Sequence, residues 1–139
     1  MNVTVERMDA RVPVTVLRLE GDLDASNFED LIERGRQLYE EGTRYLLLDM
    51  RAVPYMGSSG LVALHALTLI LLGESLPDTD SGWEAHRAIA RSVESGMQGS
   101  LKVLLDGGPG STVRRVFERT GMNRFIELHE DEAAALASF

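Results

Sequence analysis

Apolar positions along the first third of the chain predict two strands followed by a helix. Residues 3–6 form a weak strand pattern, and residues 12–19 alternate more regularly. Pro13, near the beginning of the second strand, is typical of an edge strand or of a strand's first residues. Apolar residues at helical spacing then predict a helix: Phe28, Leu31, Ile32, Leu38 and Tyr39.

The turn before this helix and the residue after it also have recognisable signals. Residues 21–24 read as a turn, and Ser26 with Glu29 has the spacing of a capping box, which predicts that Ser26 caps the helix. Gly42 predicts the end of the helix.

The middle of the chain predicts a buried strand, a short connection and an apolar helix. Residues 45–49 are a continuous apolar run, typical of a strand covered on both faces. After Pro54, Ser58 or Ser59 is predicted to cap a helix that runs to about Leu72. This helix is apolar nearly all round, so it is either central to the fold or leaves a face for a partner.

The composition changes between Gly73 and Gly99, where we predict an inserted segment. It begins with a polar loop and continues with a short helix in which Trp83 packs against the core. Beyond it the pattern predicts a strand over 101–105, a helix capped by Ser111 or Thr112 and ended by Gly121, a strand over 125–128 and a helix over 131–138.

This order of elements predicts an α/β fold with a mixed sheet of about five strands and helices as crossovers. We expect one domain over residues 1–139, with the insertion at about 73–99 lying before the fourth strand. Ser58 then follows the C-terminal end of a strand, where open α/β sheets usually place their sites.

Composition and charge exclude several classes of function. Fourteen basic and twenty-two acidic residues give a net charge of -8, which opposes nucleic-acid binding. The chain has no cysteine, and His65, His86 and His129 lack ligand spacing, so we expect no metal site and no cofactor. The longest apolar stretch, 61–72, is too short to span a bilayer, and a soluble cytoplasmic protein is expected.

Ser58 and Ser59 stand where the apolar helix begins. The first turn of a helix has unpaired N–H groups and a partial positive charge, so it favours an anion, including a phosphate on one of these serines. Capping alone also accounts for serines at this place.

Three short motifs and a set of later residues stand in a recognisable order. The motifs are Gly21-Asp22-Leu23-Asp24, Leu46-Leu47-Leu48-Asp49-Met50 and, the sharpest of them, Met56-Gly57-Ser58-Ser59-Gly60-Leu61. The later residues are Ser111, Val113, Arg115, Phe117 and Thr120-Gly121-Met122. Through these residues the chain resembles, over most of its length, the STAS domain family, the domain of bacterial anti-sigma factor antagonists.

The resemblance implies a regulatory binding module, with no enzymatic activity of its own. In the family, an anti-sigma factor that is also a serine kinase binds the unphosphorylated antagonist and frees the sigma factor. Phosphorylation breaks this complex and a phosphatase restores it. By position the phosphoacceptor is Ser58, and the residues implied in partner binding are Asp22, Asp24, Met56, Gly57, Ser59, Gly60 and Leu61.

Gly57 departs from the family pattern, which usually has Asp at this position. Either a residue that helps to present the hydroxyl is missing, or the glycine permits an unusual backbone angle. The segment 73–99 is also longer than the usual connection, and it covers, extends or replaces the usual binding surface.

Two other functions stay open on the sequence. One is a non-switching module of the same fold: a scaffold, a subunit of a homodimer or a small-ligand sensor. The other is a serine hydrolase, although 57–60 does not satisfy G-x-S-x-G and His65 lies in an apolar run that favours packing. Residues 106–111 superficially resemble a phosphate-binding loop but lack its lysine, so a tight turn is the simpler interpretation.

Overall fold

The structure is a computed structural model that describes residues 1–74, 98–107 and 111–139. Its elements are β1 (Asn2–Asp9), β2 (Pro13–Glu20), α1 (Phe28–Glu40), β3 (Leu46–Ala52), α2 (Ser58–Leu71), β4 (Gln98–Leu104), α3 (Thr112–Thr120), α4 (Met122–Phe125), β5 (Ile126–His129) and α5 (Glu132–Ala137). The prediction for Trp83 and its helix lies outside the described residues.

The sheet has five strands in the order β1-β2-β3-β4-β5. The first two strands pair antiparallel, and the others pair parallel. The predicted mixed α/β sheet with helical crossovers is therefore confirmed. Because the strands follow chain order and crossovers share one hand, the crossover helices lie on one face.

The main core lies between that face and the crossover helices. It combines sheet residues such as Leu17, Leu48 and Val103 with most of α2, in which Leu64 and Leu67 are fully buried. Of the two alternatives that its apolar sequence left open, the structure shows the first: helix α2 is central to the fold. Helix α1 packs closely on it, because Gly35 has no side chain that would overlap with Leu67.

The opposite face of the sheet has a smaller core that involves the C-terminal residues. Val14, Val16, Leu47 and Leu104 pack there with Ala135 of α5. None of the helices in the described part of the chain has the length and apolar character needed to span a bilayer.

Several boundaries differ from the sequence predictions. Strand β1 is longer than predicted because its whole length pairs with β2. Pro13 is the first residue of an interior strand, where its missing N–H is tolerated. Strand β4 begins at Gln98, so the last two residues assigned to the insertion belong to the sheet. The short helix α4 was not predicted.

The ends of the helices follow three of the predicted signals closely. Gly42 has a φ of +110° and its N–H donates to the carbonyl of Tyr39, which ends α1. Ser111 caps α3 by accepting a hydrogen bond from the amide of Arg114 at 3.2 Å, and Gly121, with a φ of +78°, ends this helix.

Candidate functional site

Two loops at the C-terminal edge of the sheet are joined by a short ladder. Leu23 and Met56 form an isolated parallel bridge. The amide of Leu23 donates to the carbonyl of Tyr55 at 3.0 Å, and the amide of Gly57 donates to the carbonyl of Leu23 at 2.9 Å. The turn over 21–24 is therefore fixed beside the residues that precede Ser58.

Helix α2 begins at Ser58, one residue earlier than a serine cap would place it. The N-cap residue is Gly57, and no side chain makes a capping hydrogen bond, so the prediction that Ser58 or Ser59 caps the helix was wrong. The reason is local: the amide of Gly57 already pairs with Leu23, and its carbonyl accepts the amide of Gly60 at 3.0 Å. The helical backbone thus begins at Ser58.

Ser58 is exposed, whereas Ser59 is only partly so. Ser58 is the first residue of the helix, and the first turn of α2 contains no acidic side chain. A negative charge on Ser58 would lie close to the free N–H groups and the positive end of the helix dipole. The beginning of α2 therefore favours negative charge at position 58.

Gly57 has an ordinary extended backbone, with φ −82° and ψ 178°. The interpretation that this glycine permits an unusual backbone angle is therefore wrong. A Cβ atom at this position would lie 3.4 Å from the hydroxyl oxygen of Tyr55, which is ordinary van der Waals contact. Neither the backbone nor the available space requires glycine here.

Met56, Gly60 and Leu61 lie inside the molecule. Met56 and Leu61 belong to the main core, and Gly60 is buried. A Cβ on Gly60 would overlap with the side chain of Met56 and lie 3.2 Å from that of Leu23. In the isolated chain these residues fix the loop and the beginning of α2, and their contact with a partner stays a prediction.

Asp24 organises the turn that leads into α1. Its carboxylate accepts the backbone N–H of Ser26 at 2.9 Å and the hydroxyl of the same residue. The hydrogen bonds from the Ser26 hydroxyl and amide lower the pKa of Asp24 below its ordinary value, so the side chain is ionised at neutral pH. Asp22, two residues before it, is exposed.

The capping box predicted for α1 is absent. The N-cap residue is Asn27, without a side-chain capping bond, and the helix begins at Phe28. Ser26 is bound instead to Asp24, while the side chain of Asn27 accepts the amide of Asp24 at 3.0 Å and donates to the carbonyl of Asp22 at 2.8 Å. These bonds shift the N-cap from Ser26 to Asn27, so the helix begins one residue later than predicted.

An ion-pair network borders the loop to Ser58 on the second face of the sheet, and the sequence analysis missed it. Arg18 contacts Asp49, Glu6 and Glu132, and Arg51 contacts Asp49 through two nitrogens at 3.0 Å. Burial would raise the pKa of Asp49, but the hydrogen bonds from Arg51 and Arg18 outweigh burial and lower it. The strands β1, β2 and β3 and the helix α5 are thereby tied together.

The residues considered for a hydrolase do not come together in the described parts of the chain. His65 is 2 % exposed, and its ring lies 5.8 Å from the ring of Phe125, between α2 and α4. Ser58 is exposed at the beginning of α2, about two helical turns away. No group of His, Asp or Glu side chains suitable for a metal ion is found among the described residues.

Tyr55 is a second feature that the sequence analysis did not single out. The residue is 50 % exposed although its side chain is large and largely apolar. It lies beside Gly57, three positions before Ser58. A search of the sequence for exposed aromatic residues could not have found it, because exposure depends on the ladder between the two loops.

Comparison with known proteins agrees with this architecture. Two solved structures have the same fold, an anti-sigma factor antagonist from Mycobacterium paratuberculosis and a putative anti-sigma factor antagonist from Thermotoga maritima. The first has a TM-score of 0.66 and 22% sequence identity, and covers 99% of this chain and 92% of its own. The second has a TM-score of 0.64 and 13% identity, and covers 96% of this chain and 90% of its own.

The search of curated protein sequences found no match. The family model described as the STAS domain matches residues 7–69, which include the turn over 21–24, strand β3 and the beginning of α2 with Ser58. The family model therefore confirms the resemblance to the STAS domain family over this segment, and the two solved structures share the fold over nearly the whole chain.

Proposed function

We propose that this chain is an anti-sigma factor antagonist of the bacterial cytoplasm. In its unphosphorylated form it would sequester an anti-sigma factor that is also a serine kinase, and so release a sigma factor for transcription. The observation that carries the proposal is that Ser58 is exposed and stands at the first position of α2, beside the turn over 21–24. The match to the STAS family and the shared fold support the general role.

Phosphorylation of Ser58 would act as a switch without refolding. A phosphate adds about -1.5 to -2 charge at neutral pH, which the helix N-terminus accommodates in the free protein. A partner surface built against a neutral hydroxyl must instead desolvate that charge or place it near its own acids, and such contacts cost several kcal/mol. The complex would therefore separate after phosphate transfer, and a phosphatase would reset it.

The binding surface would consist of the residues that the structure leaves accessible around this point. Asp22 is exposed, and Asp24 and Ser59 are partly exposed. Met56, Gly60 and Leu61 would contribute by holding the loop in place from within the core. The chain would bind ATP only through the kinase partner and would perform no catalysis itself.

The test is phosphate transfer in a defined mixture. The wild-type chain, Ser58→Ala and the matched control Ser59→Ala are each incubated with ATP and one purified anti-sigma factor kinase at a time, followed by intact mass and peptide mapping. We expect one phosphate on wild type and on Ser59→Ala, and none on Ser58→Ala. Absence of transfer with every kinase, or a phosphate mapped to another residue, contradicts the proposal.

A binding titration tests the consequence of the switch. Ser58→Asp should bind the kinase more weakly than wild type while its melting temperature does not fall. Equal affinity of the two proteins, with the fold intact, contradicts the switch.

A non-switching STAS module is the second candidate, and Gly57 favours it. Since the backbone at this position is ordinary, nothing in the fold requires glycine in place of the family's aspartate. The phosphate-transfer experiment separates the two candidates, because a scaffold or a homodimer subunit would bind its partner without gaining a phosphate.

A further inference from the structure

Tyr55 is the most exposed of the large hydrophobic side chains in the described parts of the chain. It is 50 % exposed, compared with 42 % for Leu72 and 38 % for Met1. Tyrosine is enriched at protein interfaces because it buries a large apolar ring and still satisfies its hydroxyl at the rim. The exposed ring of Tyr55 therefore has the properties of an interface residue.

The backbone that carries this ring is held on both sides. The carbonyl of Tyr55 accepts the amide of Leu23 at 3.0 Å, and the next residue, Met56, is buried and bridged to Leu23. Binding to a side chain on a fixed backbone loses little conformational entropy, because only the ring itself has to be ordered.

The ring lies along the backbone that leads to Ser58. Its Oη, Cε1 and Cζ atoms lie 3.4, 3.7 and 3.9 Å from the position that a Cβ of Gly57 would occupy. Since Gly57 has no side chain, nothing from this residue separates the ring from the beginning of α2. We define Pro54, Tyr55, Gly57 and Ser58 as the Tyr55 patch; Pro54, Tyr55 and Ser58 are exposed.

One edge of the Tyr55 patch is acidic. Asp22 and Asp24 flank Leu23, which is bonded to Tyr55 and Gly57 through the backbone. The carboxylate of Asp24 is ionised because Ser26 donates to it twice. A partner surface complementary to this edge carries lysine or arginine side chains.

We infer that Tyr55 anchors the partner protein, which receives the ring in an apolar pocket bordered by basic side chains that face Asp22 and Asp24. This inference rests on the proposed function and names the chemistry of the partner's surface. It also explains how phosphorylation at Ser58 would act. A partner that closes over the ring removes water from the neighbouring side chain of Ser58. The neutral hydroxyl tolerates this loss of water, whereas a charged phosphate does not.

The test is a double-mutant cycle between positions 55 and 58, measured as dissociation constants for the complex with the kinase that phosphorylates the wild-type chain. Tyr55→Ala should weaken binding by at least about tenfold, as expected for the loss of an interface anchor. Tyr55→Phe retains the ring and should bind as wild type does. Leu72→Ala is the matched control, because it removes an exposed apolar side chain about 20 Å away at the other end of α2.

The energetic coupling between positions 55 and 58 is the decisive measurement. It distinguishes an anchor that helps to desolvate Ser58 from a Tyr55 that contacts the partner independently of Ser58. Ser58→Asp should cost at least about threefold less affinity in the Tyr55→Ala background than in the wild-type background, because the patch is then less completely desolvated. Asp22→Asn should slow association at low ionic strength and have little effect at high ionic strength.

The outcomes that overturn the inference are specific. Three results would contradict an anchor at position 55 and leave the proposed function intact. They are unchanged binding by Tyr55→Ala, an equal loss of affinity with Leu72→Ala, and additive effects of Tyr55→Ala and Ser58→Asp. A loss with Tyr55→Phe as large as with Tyr55→Ala contradicts the apolar pocket. Failure of the wild-type chain to bind or accept phosphate from any kinase overturns the proposed function, and the inference falls with it. Melting temperatures of all variants show whether the fold is intact.

Discussion

Nη1 of Arg18 lies 2.9 Å from Oδ2 of Asp49, so an ion pair joins β2 to β3 where β3 leads into the loop before Ser58. The side chain of Asp49 is only 9% exposed, and Arg51 also binds it through two nitrogens. Arg18 continues the network to Glu6 on β1 and Glu132 on α5. This edge of the sheet is therefore fixed by charges as well as by the apolar core.

Asp49→Asn should lower the free energy of unfolding by about 2–3 kcal/mol, because it leaves two guanidinium groups without their shared, largely buried carboxylate. The matched control is Glu41→Gln, which breaks the exposed ion pair between Arg7 and Glu41 and should cost less than about 1 kcal/mol. Urea denaturation of the three proteins measures both values. Equal losses in the two variants would contradict the importance of the buried network.

Stability should fall at acid pH through Asp49. Its pKa is lower in the folded chain than the ordinary value of 3.8, since the arginine hydrogen bonds outweigh the effect of burial. A carboxyl group with a lowered folded pKa contributes stability that is present above its unfolded pKa and is lost as pH falls through the folded pKa. The melting temperature of wild type should therefore fall below about pH 4, and more steeply than that of Asp49→Asn. Parallel curves for the two proteins would contradict this assignment.

The spacing of apolar residues predicted the order of strands and helices, because the residues that begin and end the described core elements are typical of those positions. The apolar run over 45–49, the glycine at position 42 and the serine at position 111 act locally, within a few residues. For the same reason the position of Ser58 at the edge of the sheet follows from sequence alone: a buried strand, a proline and an apolar helix leave few alternatives.

The details of the site depend on contacts that no local pattern contains. Ser26 fails as a cap because Asp24 binds it, although the spacing to Glu29 is correct. The bridge between Leu23 and Met56 joins residues far apart in the chain, and it decides which way Tyr55 faces. The partners of Arg18 come from three different elements, β1, β3 and α5, so a sequence with the same charges in another register would lack the network.

Lys102 is predicted to hold the C-terminal residues against the sheet. Its Nζ atom, on a residue that is 4% exposed, donates to the carbonyl of Ser138 at 2.9 Å and to its hydroxyl at 2.8 Å, and lies 3.2 Å from a carboxylate oxygen of Glu127. Lys102→Met should lower stability by about 1–3 kcal/mol, because these partners lose a charged donor.

Hydrogen exchange locates this effect, and a second substitution tests its cause. Amide protection in α5 should fall in Lys102→Met before that of β2 and β3. Adding Glu127→Gln should recover part of the stability, because the carboxylate, which in Lys102→Met keeps only its contact with His129, is then replaced by a neutral amide. A double variant less stable than the single one would contradict this account.

Gly60 is expected to tolerate no side chain. A Cβ there would overlap with the buried side chain of Met56. The backbone of Met56 is bridged to Leu23, so this side chain cannot move aside freely. Gly60→Ala should cost about 1–3 kcal/mol through overpacking. Gly99→Ala is the control, because a Cβ at Gly99 meets nothing within 4 Å. Similar unfolding energies for the two variants would show that the loop before Ser58 is less rigid than the structure indicates.

Gly57→Asp should stabilise the protein, in contrast to Gly60→Ala. The N-cap position has an ordinary backbone, has no side-chain cap and precedes a first turn without acidic residues. An aspartate there can accept a free amide of the first turn and complement the helix dipole, a gain of a few tenths to about 1 kcal/mol. Gly57→Asn supplies the hydrogen bond without the charge, so it should recover part of that gain.

The difference between Gly57→Asp and Gly57→Asn isolates the electrostatic part. Since an aspartate stabilised by the helix has a lowered pKa, its advantage over asparagine should be present at neutral pH, begin to fall near about pH 4 and be lost as the pH falls through the folded pKa. It should also shrink at high salt. Thermal unfolding of both variants across pH and ionic strength measures this difference. An aspartate variant less stable than wild type at neutral pH would mean that the beginning of α2 does not favour negative charge, and a phosphate on Ser58 would then destabilise the free protein as well as its complex.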